Sequence, residues 1–249
     1  MASTDGPPET GMPALLDRIR PLPDRAAVDA LFGELARPAR PVVLSFLNQH
    51  AFNLAWSDPI VRSELAGADV LLRDGVGVEI ALRRLGRPVG LNANGTDLIP
   101  ALFGHLPPRR VAVFGTREPW LTPAAERIAA FGHAVVAVSD GFRTDAQYLE
   151  LCRRTMPDAI LLGMGMPRQE RLAARLAAEL DRPCLVVNGG AVLDFLAERF
   201  PRAPLWMRRA RLEWLFRFVQ EPGRLAERYL VGGLRFARRV RVLERGLSR

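Results

Sequence analysis

Six short, mostly apolar runs punctuate the chain: "PVVLSFLN" (41–48), "ADVLLRD" (68–74), "RVAVFG" (110–115), "AVVAV" (134–138), "DAILLG" (158–163) and "PCLVVN" (183–188). They lack the strict in–out alternation of a half-exposed strand, so each predicts a strand buried on both faces. Most of the gaps carry 3.6-residue periodicity, as in "PWLTPAAERIAAFG" and "PRQERLAARLAAEL", which predicts helices. Strand and helix in alternation imply an α/β fold with a parallel sheet and helices on both faces. Ahead of the first run, "LLDRIRPLPDRAAVDALFGELA" predicts a helical lead-in, and the polar, Pro-rich residues 1–12 predict a disordered tail. No repeat of fixed period is present.

The pattern changes near Pro201. From there to the end the chain holds 13 Arg and 4 Glu, a surplus of nine positive charges, whereas the preceding residues nearly balance at 22 Arg and 23 acidic groups. The expected organisation is an α/β domain over 13–200 and a helical, Arg-rich appendage over 201–249. Met207, Ala210, Trp214 and Phe218 share one helical face. Arg224 and Arg228 stand at i, i+4 after Pro222. Beyond Gly232-Gly233, the stripe Phe236, Val240, Leu243 and Leu247 runs beside Arg235, Arg238, Arg239 and Arg245. Such a field suits an anionic partner. Three readings fit: a packed or oligomer-forming helix with a solvated basic face, a basic amphipathic appendage on an anionic membrane, or a nucleic-acid patch. No recognised nucleic-acid fold accompanies the third.

Composition adds bounds. With 249 residues, 49% hydrophobic and 25% charged, the chain can build one full core plus an appendage. Every basic side chain apart from the three histidines is Arg. Cys152 and Cys184 sit in apolar settings outside any metal-ligand spacing, and are expected to be buried free thiols. The N-terminus has no apolar signal core, and no apolar run reaches bilayer length. The expectation is a cytoplasmic protein whose membrane contact is peripheral.

In an open α/β sheet, ligands bind beyond the carboxyl ends of the strands. Those positions hold Asn48, Asp74-Gly75, Gly115-Thr116, Asp140-Gly141, the stretch from Gly163 through Gly165 to Pro167, and Asn188-Gly189-Gly190. Small and polar residues there suit close approach to a phosphorylated ligand, with helix N-termini supplying N–H groups. "LLGMGMPRQE" lacks the third glycine of a dinucleotide fingerprint, and the next strand ends in Asn188 rather than an acid, which speaks against a nicotinamide enzyme. The same stretch fits a tight turn with Pro167 at the first helical position. Asp74 fits a helix cap or turn, or a general base. Thr96 and Asp97 are cap candidates, and Asn92 and Asn94 can bind sugar hydroxyls or shape their loop. The histidines are scattered and no DxD pair occurs, so no metal site is expected and arginines must neutralise any diphosphate leaving group.

The segments "LNQHAFNLAW", "RDGVGVEIALRRLG", "NGTDLIPALF", "VAVFGT", "DAILLGMGMPRQE", "VNGGAVLDFLA" and above all "RAPLWMRRARLEWLFRFVQEPGRLAERYLVG" resemble the WecG/TagA/CpsF glycosyltransferases (glycosyltransferase family 26) over about residues 41–233. The resemblance implies a Rossmann-like fold and an inverting transferase that needs neither metal nor cofactor. It implies transfer from a UDP-sugar to a polyprenyl-diphosphate-linked sugar at the cytoplasmic membrane face, for cell-surface or exopolysaccharide synthesis. By the same resemblance Asp74 is the base, Asn48 lies beside the donor, and Gly165, Pro167, Gln169 and Glu170 form the nucleotide turn. Asp194 matches the aspartate of the family's "DFLA" segment, and Arg217, Arg224 and Arg228 reach the diphosphate. Asn92 stands where many members carry Arg, which favours a neutral hexose donor over an N-acetylmannosamine or uronic acid type. The appendage is expected to close over the site and hold anionic lipid. A homo-oligomer is compatible with this picture, and a nucleic-acid partner is not expected.

Overall fold

The computed structural model describes residues 8–204, 206–207, 213–220, 223 and 226–247. All six apolar runs become strands: β1 (Pro41–Leu47), β2 (Val70–Arg73), β3 (Arg110–Gly115), β4 (Ala134–Ser139), β5 (Ala159–Gly163) and β6 (Cys184–Asn188). They form one sheet in the order β2-β1-β6-β5-β3-β4, and every pairing is parallel. An all-parallel sheet must be covered on both sides. One face is covered by α2 (Arg25–Leu35), α6 (Gly95–His105), α7 (Leu121–Ala129) and α10 (Val192–Leu196), which pack on Leu44, Phe46, Leu72, Val113 and Leu161. The opposite face meets α8 (Asp145–Thr155) and α9 (Arg168–Glu179) around Val43, Phe114, Ile160 and Val186. Successive strand residues thus feed opposite cores, which is why the runs lack polar alternation.

The second face continues beyond β1 and β2 through α1 (Pro8–Asp17), α3 (Gln49–Ser57), α4 (Pro59–Ala66) and α5 (Val76–Arg84). Two expectations change here. Residues 8–12, expected in a disordered tail, belong to α1, which starts at Pro8 and buries Met12 fully with Leu15 and Leu16 against Phe52 and Leu65. The final helix also joins the core. The described part of the appendage comprises α11 (Glu213–Gln220), a π-helical turn (Glu227–Val231) and α12 (Gly232–Leu247), and in α12 Phe236, Val240 and Leu243 are buried in the cluster that α1 and α3 share. The Phe236 ring meets Phe52 edge-on at 4.8 Å, and Arg239 donates to Asn53 O at 2.8 Å while lying over the Trp56 ring. The apolar stripe of α12 is therefore core, and its Arg235, Arg238 and Arg245 face solvent. Cys152 and Cys184 are free and buried as expected, and burial pushes both thiols up to about 12.

Candidate active site

Because the strands are parallel, their carboxyl ends share one edge. Register pairs Leu47 with Arg73, Gly115 with Gly163, and Leu162 with Asn188. The turns after β1, β2, β3, β5 and β6 are thereby brought together. The chain leaves β3 for the edge strand β4 but leaves β5 in the other direction, for β6. Connections that diverge in this way mark a topological switch point, here at Gly115 and Gly163, outside which open α/β sheets bind ligands.

The β2 turn carries Asp74. Its N–H donates to Leu47 O at 2.9 Å, which fastens it to the end of β1. Gly75 follows at φ +88°, a conformation that glycine tolerates best, and its N–H donates to Asn92 Oδ1 at 2.8 Å. Beneath the turn lies Arg73, 4% exposed. Its guanidinium donates to Val89 O, Gly90 O, Gly75 O and Asn92 Oδ1 at 3.1–3.4 Å, and pairs with buried Glu79 at 3.4 Å. Asn48 caps α3, its Oδ1 accepting from His50 N and Ala51 N at 3.0 Å. Asn94 caps α6 through Thr96 N and also accepts from Thr96 Oγ1 at 2.7 Å. The cap expected at Thr96 or Asp97 thus sits at Asn94, and Asp97 instead meets Arg202 at 2.6 Å.

The β3, β5 and β6 turns are held mostly without charge. Gly115, at φ +140°, lies so close to Gly163 that a Cβ would stand 2.3 Å from the Gly163 carbonyl, and a Cβ on Gly163 would stand 2.5 Å from Leu193. Thr116 Oγ1 donates to Asp194 Oδ1 at 2.8 Å, and Asp194 also pairs with Arg199 at 3.1 Å. Helix α9 starts at Arg168, one residue later than expected, with Pro167 in the capping position. The Gln169 Oε1 accepts from Gly165 N at 3.2 Å and Gly190 N at 2.9 Å, so one amide links the β5 and β6 turns. The Gln169 Nε2 donates to Glu170 Oε1 at 2.9 Å. Burial, opposed by that bond, pushes the Glu170 carboxyl up to about 7. At the end of β6, Asn188 Nδ2 donates to Ser45 Oγ at 2.6 Å in the core, and Gly189 N–H reaches Leu162 O at 2.7 Å.

Set against known proteins, residues 17–249 match the profile of the "Glycosyl transferase WecG/TagA/CpsF family". The chain belongs to this family. An N-acetylglucosaminyldiphosphoundecaprenol N-acetyl-beta-D-mannosaminyltransferase from Bacillus spizizenii is 26% identical over 175 residues, covering 68% of each chain. A protein of the same name from Bacillus subtilis is 24% identical over 187 residues, covering 73% of each.

As a WecG/TagA/CpsF glycosyltransferase, the chain gathers most of the expected site residues on one edge: Asn48, Asp74, Asn92, Gly115, Gly163, Gly165, Pro167, Asn188, Gly189 and Asp194. Gln169 and Glu170 lie underneath as buried supports, 3% and 2% exposed. Asn94, Thr96 and Asp97 belong to the first turn of α6. Of the basic trio, Arg224 lies outside the described residues, as do the side chains of Arg217 and Arg228, whose backbones sit in α11 and the π-helical turn. Ala210 and the side chains of Trp214 and Leu247 are outside them too. Sequence reasoning missed Arg73, Ser45 and Arg199. For Arg73 a sign was available: a charged residue closing an otherwise apolar strand must find partners inside. Among the described residues no three His, Cys, Asp or Glu side chains gather as a metal-binding group, and no helix is long and apolar enough to cross a membrane.

Proposed function

We propose that this glycosyltransferase moves a sugar from a UDP-sugar to a polyprenyl-diphosphate-linked sugar, with inversion and without a divalent metal. The observation that carries the reading is the position of Asp74, fastened to the end of β1 and sharing the sheet edge with the glycine turns after β3, β5 and β6. Asp74 takes the proton from the acceptor hydroxyl. The freed oxygen attacks the anomeric carbon, and UDP leaves with the electrons of the broken C–O bond. Arg217, Arg224 and Arg228 neutralise the leaving diphosphate in place of a metal, which suits a chain without a DxD pair. The acceptor class named for the Bacillus relatives, a diphosphoundecaprenol-linked N-acetylglucosamine, is the first to try. Their donor sugar, N-acetylmannosamine, competes with a neutral hexose, which the lack of the Arg common at position 92 favours.

The membrane reading moves to other residues than the α12 stripe. Val219, Leu230 and Leu234 are 70%, 60% and 76% exposed, near the solvated arginines of the same appendage. Together they support binding to an anionic lipid surface from the cytoplasmic side.

A panel of UDP-sugars with a short-chain lipid-diphosphate N-acetylglucosamine acceptor tests the reaction. Turnover should persist in excess EDTA, and Asp74→Asn should lower it by roughly 10²–10⁴-fold while UDP still binds. Near-normal turnover by that variant removes Asp74 as the base. For the lipid surface, Leu230→Asp with Leu234→Asp should abolish co-sedimentation with anionic vesicles. Unchanged co-sedimentation would count against this patch.

A further inference from the structure

We infer that Asn92 is a positioning residue for Asp74, acting by fixing the backbone of the Asp74–Gly75 turn and not by touching the sugar donor. The inference rests on the reading of Asp74 as the general base. Asn92 lies at the surface, yet its Oδ1 has two partners in the protein: Gly75 N–H at 2.8 Å and the Arg73 guanidinium at 3.4 Å. The same turn is held by Asp74 N–H on Leu47 O, by Gly75 O on the Arg73 guanidinium at 3.3 Å, and by Ala93 N–H on Arg73 O at 3.1 Å. Main-chain groups on both sides of Asp74 are therefore tied, and these set the direction of its Cα–Cβ bond. Gly75 is the pliable point, because glycine can leave φ +88° for many other conformations once its N–H loses its acceptor.

A general base must stand within hydrogen-bond reach of the proton it removes, and a misplacement of about 1 Å can lower the rate about 100-fold. Arg73 makes more of these bonds, but it also pairs with buried Glu79, so replacing it disturbs the core. Asn92 is the one member of the clamp that can be changed from the surface. An Asn92 that bound the donor would reveal itself differently, by weakening donor affinity and raising KM.

The test uses the full chain, the UDP-sugar selected by the donor panel, and UDP as the binding probe. Asn92→Ala should lower kcat by about 10–100-fold, with donor KM and UDP affinity within about two-fold of the parent. Asn92→Asp keeps the acceptor oxygen and should recover most of kcat at high pH. Its added carboxylate should move the acid limb of the kcat/KM profile upward, because a like charge near Asp74 favours the protonated base. In an Asp74→Asn background, Asn92→Ala should cause no further loss, since it acts only through the missing carboxylate. The inference is overturned if Asn92→Ala keeps parental kcat, if its loss lies in donor KM or UDP affinity, or if the two losses multiply in the double variant. An active Asp74→Asn protein would instead overturn the base assignment beneath it, an outcome read from that variant alone.

Discussion

On the β1–β2 side of the sheet edge, the turn that presents Asp74 rests on a guanidinium and a carboxylate, Arg73 and Glu79, with side chains 4% and 6% exposed. On the β3–β5–β6 side, the turns rest on two abutting glycines and the amide of Gln169, above a Glu170 whose carboxyl burial pushes up to about 7. The first arrangement fixes direction. Arg73 reaches three main-chain carbonyls in two stretches of loop, Gly75 in one and Val89 and Gly90 in the other, and neither can move without disturbing a buried charge. The second arrangement allows close packing, because without side chains the ends of β3 and β5 can abut each other and Leu193. On the proposed reading, the first half aims a base and the second holds strand-end backbone close together for a phosphate.

The comparison breaks most visibly at Arg73. Arg73→Met leaves Glu79 buried with Arg83 as its remaining ion-pair partner among the described residues. It should destabilise the fold by about 3–5 kcal/mol, as losing one member of a buried pair does. A denaturant midpoint measured at unchanged m reads this, and a loss under about 1 kcal/mol would show the ionic frame to be dispensable.

The next test sets one glycine from each side against the other. Gly115→Ala places a Cβ into the Gly163 backbone at a positive φ and should lose roughly 2–4 kcal/mol. At Gly75 an added Cβ meets nothing within 4 Å, so Gly75→Ala carries only the backbone penalty of its φ +88°, ψ 163° conformation, about 1–3 kcal/mol. Equal losses would mean that close approach does not distinguish the two sides.

The smallest effect is on pH dependence. Glu170 has its carboxyl raised from 4.5 to about 7, with burial the main cause. Between those values the folded protein binds the proton more tightly than the unfolded chain. The stability contributed by the protonated carboxyl is complete below about 4.5 and lost as pH rises through about 7. Glu170→Gln cannot ionise. From pH 4 to pH 8 its stability relative to the parent should therefore improve by roughly 1–3 kcal/mol. A constant difference across that range would show that Glu170 is not held protonated.

The sheet was legible because burial on both faces writes itself into sequence as uninterrupted apolar runs, and all six runs are strands. The strand-end positions followed from parallel topology alone, so Asp74 and the glycine turns were found without any geometry. What stayed hidden depends on which side chain folds under which turn. Gln169 reads as a polar residue at a helix start, and only the convergence of Gly165 and Gly190 on its oxygen makes it a clamp. The stripe of α12 could be recognised as a stripe but not as core, since periodicity shows that a face is apolar and not what covers it. Met12 extended the ordered chain toward the N-terminus for the same reason: one apolar side chain fits a pocket formed by α3 and α4, which lie far along the sequence.

Either end of the connection between the α/β body and α12 is tied down. Ala203 is buried and Arg202 reaches Asp97 on α6, while Gly232 O accepts from Asn53 Nδ2 at 2.8 Å on the helix that Asn48 caps. The roughly 30 residues between are thus a closed loop, with much of the entropy of bringing its ends together already spent in folding. Arg217, Arg224 and Arg228 all belong to that loop. If these arginines neutralise the leaving diphosphate as proposed, they do so on a short tether, at a local concentration on the order of millimolar that dilution of the protein cannot lower.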